Sequence, residues 1–410
     1  MRASTPARLG ALAALPLLAA CGGDARAAAP VVRDSAGVRI VENARPAWGE
    51  GEGWRVAPEP RVDVGLAEGD AAYQFGRVAG ALRLDDGRIV VADGQASELR
   101  YFDATGRHLE TAGRKGGGPG EFDGLHALLR LPGDSVAAWE WSHRLSVFGP
   151  AGDFVRSRTI EPPREGMILD ARGVFPDGSV LAAPGGSLIF KTGTRVARDT
   201  SALLRYAADG AGVDTLGHFP GTQMFSMSGT DNGGWASIAP VPFGHATFYA
   251  VHGGRLFVAD NSRFEVSVHD ARGKLLRRFR APRETEPLTP GEVERYKEVQ
   301  LAAAGESGFG RQVQERTLAA MQFPETKSAF ADMRVDRTGA VWLREHAIGS
   351  GAPGRWTVFA EDGTLLGTVE TPAGLRVLEI GGDYVLGVWS DELDVQHVRL
   401  HRLERDRGES

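Results

Sequence analysis

Three carboxylates stand at one recurring place in this chain. Asp93, Asp260 and Glu345 each follow a glycine by six residues, in GRIVVAD, GRLFVAD and GAVWLRE. The same place in a fourth copy, GDSVAAW, is Trp139. Carboxylates brought round a common opening could hold a hard cation such as Ca²⁺, which prefers oxygen ligands, or attract a cationic ligand. The alternative is local, because an aspartate at a strand end can accept backbone N–H bonds from its own loop.

A second group is Trp139-Glu140-Trp141-Ser142-His143-Arg144, which gathers two indoles, a carboxylate, an imidazole and a guanidinium. Flat rings supply contact area and neighbouring charges orient a ligand, so such a loop suits a peptide or a sugar. Its alternative buries both tryptophans between elements and leaves the charges solvated. Trp235, in Asp231-Asn232-Gly233-Gly234-Trp235, and Arg263, Arg344 and His346 fall in further loops of the same kind, where binding residues concentrate.

Other chemistries find no residues to carry them. The run Gly113 to Gly120 (GRKGGGPG) has Pro119 where a phosphate loop needs Lys followed by Ser or Thr, and no helix pattern follows. There is no G-x-S-x-G, no H-E-x-x-H and no cysteine pair, and the ten histidines are scattered singly. No catalytic residue is assigned. The formal net charge of -6 argues against nucleic acid.

What positions these loops is a repeat. Gly87 to Gly106, Gly133 to Gly152 and Gly254 to Gly273 are equal intervals of 19 residues, with apolar residues at matching places and turns at both ends. Looser copies start at Gly178, Gly339 and Gly382. A period of 40 to 50 residues built of short strands signals a propeller, and the second strand of each unit is apolar on both faces, as a sheet covered on both sides requires. The expected fold is all-β: a six-bladed β-propeller of four-stranded antiparallel blades. The last unit supplies three strands, so VRIVE at 38–42 or RVDVG at 61–65, more readily the second, is expected to complete it. Thr289-Pro290-Gly291-Glu292 carries a helix-start signature, which places a small helical insertion at about 289–324, between blades four and five, as a lid or a brace.

The first residues give an address. Arg2 and Arg8 precede the apolar run Leu9 to Leu18, and Leu18-Ala19-Ala20-Cys21 follows, with Cys21 the sole cysteine. Residues 1–20 read as a signal peptide, 21–37 as a flexible tether, 38–405 as one domain and 406–410 as a charged tail.

The Leu-Ala-Ala-Cys sequence resembles the lipobox of bacterial lipoproteins. The unit DGRIVVAD…LRYFDATGRHLETAGRKGGGPGEF resembles the NHL-type repeat, and the chain from about 38 to 403 is similar to exported six-bladed propeller lipoproteins of the NHL-like and TolB-like group. That resemblance implies lipidation at Cys21, an envelope location facing the periplasm or the cell surface, and membrane association through the lipid. Propellers of this group serve as binding platforms or as lactonases and lyases. The expectation is therefore a cofactor-free binding module for an envelope protein, peptide or glycan. A metal-dependent hydrolase or lyase using Asp93, Asp260 and Glu345 is the alternative.

Overall fold

The computed structural model describes residues 29–49, 51–187, 193–210, 212–229, 235–305, 308–349 and 351–405. Cys21 and the expected tether up to residue 28, Asp231 to Gly234 and the 406–410 tail lie outside them, as does the side chain of Trp235.

Two strands, β1 (Val31–Ser35) and β2 (Val38–Glu42), pair across the Ala36-Gly37 turn, and β3 (Arg55–Val64) follows. The end of the expected tether is thus a strand, because VVRDS and VRIVE are rich in β-branched residues and the turn supplies the left-handed backbone, with Gly37 at φ 78°.

Among the described residues the chain then builds six sheets in succession, five of four antiparallel strands and one, the fourth, of four antiparallel strands extended by β2 and β1. The first sheet is β4 (Val78–Arg83), β5 (Ile89–Asp93), β6 (Glu98–Phe102) and β7 (His108–Ala112). The second is β8 (Leu125–Arg130), β9 (Val136–Glu140), β10 (Arg144–Phe148) and β11 (Phe154–Thr159). The third begins with β12 (Met167–Val174) and β13 (Val180–Ser187); after β14 (Arg195–Ala197) it ends with β15 (Thr200–Tyr206) and β16 (Val213–Pro220). An unforeseen three-stranded sheet joins β14 to β17 (Met224–Gly229) and β18 (Trp235–Pro240). The fourth contains β19 (Thr247–His252), β20 (Arg255–Asp260), β21 (Glu265–His269) and β22 (Leu275–Arg280).

Helices α1 (Pro290–Ala303) and α2 (Phe309–Ala320) stand between the fourth and fifth sheets, as the Thr289 capping box requires. The fifth sheet is β23 (Asp332–Val335), β24 (Val341–Arg344), β25 (Gly354–Phe359) and β26 (Leu365–Thr371). The sixth is β27 (Arg376–Ile380), β28 (Tyr384–Ser390) and β29 (Gln396–Glu404), completed by β3, which contains Arg61 to Val64 of the expected closing segment. VRIVE instead extends the fourth sheet, with β2 parallel to β22.

The first strands β4, β8, β12, β19, β23 and β27 each touch the next, and β27 touches β4. They form a closed, propeller-like circuit. Burial explains why the second strands are apolar throughout. Ile89 and Val91 pack with Val62, Val64, Val398 and Leu400 of the sixth sheet, whereas Val90 and Ala92 pack with Leu125, Leu128 and Val136 of the second. Alternate residues of one strand thus face opposite neighbours.

Glycine spacing misaligns one copy. The turn bond from Leu84 N–H to Arg88 O has its counterpart from Leu131 N–H to Ser135 O. Asp134, with φ 58°, therefore takes the left-handed place of Gly87, at φ 93°, and Gly133 matches Asp86. Counting from these bonds, the partner of Asp93 in the second sheet is Glu140. Trp139 is one residue too early.

Val64 is 1% exposed where the first and last sheets meet. Val64→Asp, which buries an unpaired charge at the closure, is expected to lower unfolding free energy by roughly 3 kcal/mol or more, measured by urea denaturation.

Candidate functional site

The loops that follow the second strands of the sheets all emerge on one face, together with the starts of the first strands. This face carries the residues singled out in the sequence. Asp93 is fully buried, and its carboxylate accepts the backbone N–H groups of Gly76 (3.1 Å), Arg77 (3.3 Å), Gln95 (2.9 Å) and Ala96 (3.1 Å), with Arg100 at 3.6 Å. Asp260 accepts from Ser262 N–H (2.8 Å) and Arg198 (2.8 Å), and Glu345 pairs with Arg283 (2.8 Å). Each carboxylate is held within its own neighbourhood. Among the described residues no three His, Cys, Asp or Glu side chains converge as a metal site. At each of these three strand ends neighbouring donors engage the carboxylate oxygens.

The Trp139 to Arg144 group divides. Trp139 is fully buried between the second and third sheets, and Glu140 is buried as well. Glu140 accepts from Asp123 N–H (2.6 Å) and from Arg144 Nε (2.6 Å) and Nη2 (2.9 Å). Arg144 in turn donates to the carbonyls of Gly117 (2.8 Å) and Glu121 (2.7 Å), which ties down the glycine-rich exit of the first sheet. These three side chains hold structure and do not face a ligand. His143 takes φ 61°, and its Nε2 accepts from Leu169 N–H at 3.0 Å. Burial holds its pKa below the ordinary imidazole value, against the opposing charges of Glu161 and Asp170.

Trp141 behaves differently. It is 51% exposed, and one face of its ring lies on His126 with centroids 3.7 Å apart and planes tilted by 32°. Gly124 permits this approach: its φ is 87°, and a Cβ there would stand 3.1 Å from Trp141 Cδ1. Across the next gap, His126 Nε2 is 3.6 Å from Asp170 Oδ1, an ion-pair distance, and Asp170 Oδ2 binds Arg172 at 2.8 Å. Burial works to raise the Asp170 pKa, yet the facing His126 and the charge of Arg172 hold it below the usual carboxylate range. His126 and Asp170 belong to the first strands β8 and β12, so the cluster stands at the inner end of the sheets. It joins a half-exposed indole to an imidazole, and that imidazole to a carboxylate–guanidinium pair. Sequence reading missed His126 and Asp170 because they come from different units and meet only in space.

The remaining predicted residues disperse. Arg263 is exposed, with no side-chain partner among the described residues. Trp235 opens β18. Arg344 ends β24, and its charge reaches His346, whose Nε2 lies 3.0 Å from Ser328 Oγ. Ser328 also receives Asn261 Nδ2 at 2.9 Å, and Phe243 packs on His346 with centroids 5.4 Å apart. Where the first and sixth sheets join, a half-open cavity of about 540 Å³ is lined by Leu66, Gln74, Phe75, Gln95, Leu393 and Asp394. Its size is that of a small-ligand pocket.

No protein-family model matches the chain, and no curated protein matches it either. Solved structures do resemble it. A member of the DUF4221 family from Bacteroides vulgatus shares 9% identity over 86% of this chain and 99% of its own, at a TM-score of 0.50. A putative exported protein from Bacteroides fragilis shares 12% over 90% and 100%, at 0.48. Virginiamycin B lyase from Staphylococcus aureus shares 10% over 85% and 99%, at 0.38. At such identities the likeness is one of fold, and the DUF4221 member carries it.

Burial, helped by the charges of Arg344 and Lys327, pushes His346 down to about 4. The unfolded chain binds this proton below about 6.5 and the folded protein does not until about 4, so stability is expected to fall with pH across that window, by up to roughly 3 kcal/mol. Urea midpoints at neutral and acid pH check this, and His346→Gln should flatten the difference.

Proposed function

We propose that the chain is an exported, lipid-anchored binding module of the cell envelope, built as a six-bladed propeller, which holds a sugar ring of an envelope glycan against Trp141. The observation that carries this reading is the half-exposed Trp141 ring, backed by His126, which in turn faces the Asp170–Arg172 pair. A pyranose presents an apolar C–H face to an indole and hydroxyls at its edge. The carboxylate accepts from those hydroxyls and the guanidinium donates to them. The closed circuit of six first strands supports the blade count. The basic start, apolar run and Leu18-Ala19-Ala20-Cys21 support export and the anchor.

The binding reading is tested by calorimetry with a panel of soluble oligosaccharides. Trp141→Ala is expected to weaken binding at least tenfold, about 1.4 kcal/mol, with little change in stability. Equal affinity of the two proteins would sink the assignment. For the address, Cys21→Ser should move the protein from the membrane fraction to the soluble fraction, and retention would show a different attachment.

A further inference from the structure

The outer rim of the fourth sheet is unlike that of the others. Beyond β22, its fourth strand, lie β2 in parallel and then β1, which makes six strands. Every residue of β1 is exposed, including Val31 (63%) and Val32 (45%). The three outer strands and the turn Asp270 to Lys274 carry Arg33, Arg39, Arg272, Lys274, Arg277, Arg278 and Arg280 against Asp34, Glu42 and Asp270, in a chain of net charge -6. Some of this charge is neutralised. Glu42 binds Arg33 (3.0 Å) and Arg280, and Arg278 pairs with Glu265 (3.1 Å). Arg39 has no acidic side-chain partner within bonding distance among the described residues, and it sits opposite Arg277 in the parallel register. Burial, with the like charges of Arg255 and Arg39, holds Arg277 below its ordinary pKa. Asp362 and Glu361 of the fifth sheet's turn oppose that shift, Arg277 donates to the Glu361 carbonyl, and Asp34 stands opposite Arg39 on β1, so the rim is partly compensated but keeps an excess of positive charge.

The chain outside the description decides what could cover it. Nine residues, Gly22 to Pro30, separate Cys21 from Val31, a span of ten steps along the chain. Fully extended, they reach at most about 35 Å. An anchor at Cys21 therefore delivers the body to the bilayer by this rim. We infer that the β1–β2–β22 rim is a docking surface for an anionic lipid membrane, with its arginines and lysines against the headgroups and Val31 and Val32 at the interface. The inference rests on the anchored reading for its orientation, although the charge pattern stands without it. Each Lys or Arg near an anionic surface contributes about 1 kcal/mol, roughly fivefold in partitioning, and the contribution falls with salt. Docked so, the rim turns the channel axis along the membrane plane and leaves the face bearing Trp141 open to the side.

The test uses the full mature chain with Cys21→Ser, so that no lipid contributes, sedimented at low salt with phosphatidylglycerol-containing vesicles or with phosphatidylcholine vesicles. Binding is expected to the first and not the second, and to fall at least tenfold in an Arg39→Gln, Arg272→Gln, Lys274→Gln variant. In the Cys21→Ser background, Val32→Cys gives a single thiol on this rim, and Leu109→Cys one on β7, the outer strand of the first sheet, three sheets away in either direction round the circuit. A polarity-sensitive dye should respond to the vesicles at Val32 and not at Leu109. No binding to the anionic vesicles, unchanged binding by the neutralised variant, or an equal dye response at both positions would overturn the inference. The fractionation of Cys21→Ser reads the anchor separately, so the two can fail independently.

Discussion

Everything in this molecule depends on the pairing of β3 with β29, because a circuit of sheets that does not close leaves a row of unpaired backbone groups at its seam. Closure is made from the two ends of the described chain, with Val64 opposite Val398 and Val62 opposite Leu400. The route that brings β3 there is itself a fastening. After β2 joins the fourth sheet, Asn43 donates to Arg280 O (3.1 Å) and Gly363 O (3.0 Å) and accepts Leu365 N–H (2.8 Å). Ala47 and Trp48 then bond to the backbone of Leu365 and Leu366 in the fifth sheet. Trp54 stacks between Trp48 and Trp342, with Arg405 over its ring at 4.0 Å. The N-terminal segment is thus a belt across the outer edges of the fourth, fifth and sixth sheets. Loosening it exposes three edges together.

That constraint explains why the fold was legible and the site was not. A strand wedged between two sheets must be apolar on both faces, and IVVAD, VAAWE and LFVAD say so openly. The turns are equally explicit, since a left-handed residue is needed at each. Yet glycine is a habit and not a rule at that position. Asp134 fills it in the second sheet, and counting from glycines displaced the register by one residue, hiding the equivalence of Asp93 and Glu140. Once aligned by hydrogen bonds, both prove to be buried carboxylates, Asp93 holding four backbone N–H groups and Glu140 one, each with an arginine. Their recurrence ties each loop to its sheet. His126 and Asp170 were invisible for the opposite reason: each is solitary in sequence, and only the contact of β8 with β12 gives them meaning.

The insertions follow the same logic. Helix α2 does not stand free, since Met321 just beyond it joins Phe225 of the three-stranded sheet and Val241 just past β18 in one apolar cluster, and Thr317 Oγ1 donates to Ser237 Oγ at 2.9 Å. Tyr296 of α1 packs edge-on against Phe243 and Phe323. Lys327 binds both Glu286 (2.9 Å) and Glu292 (3.0 Å), joining the base of the hairpin to its return strand. A lid needs a weakly held contact that can open, and these are apolar and ionic contacts made together. The hairpin is thus held against the three-stranded sheet and at its own base.

The hairpin on one side makes the face asymmetric. Between the third and fifth sheets it is built over by β14, β17, β18 and the two helices, whereas the first, second and sixth sheets present short loops. Two features with room for a ligand, the half-exposed ring of Trp141 and the cavity beside Leu393, stand on this low side. Their characters differ. Trp141 offers a flat surface with adjacent charge, suited to a ring that lies down, and the cavity offers volume between Leu66 and Leu393, suited to a side chain that inserts. A ligand long enough to touch both would cross the seam between the first and second sheets, over the loop clamped by Arg144. Ligand binding and ring closure would then draw on the same contacts. A ligand that binds only the folded state would stabilise it with the logarithm of its concentration over its dissociation constant, and the closed ring would share in that stabilisation.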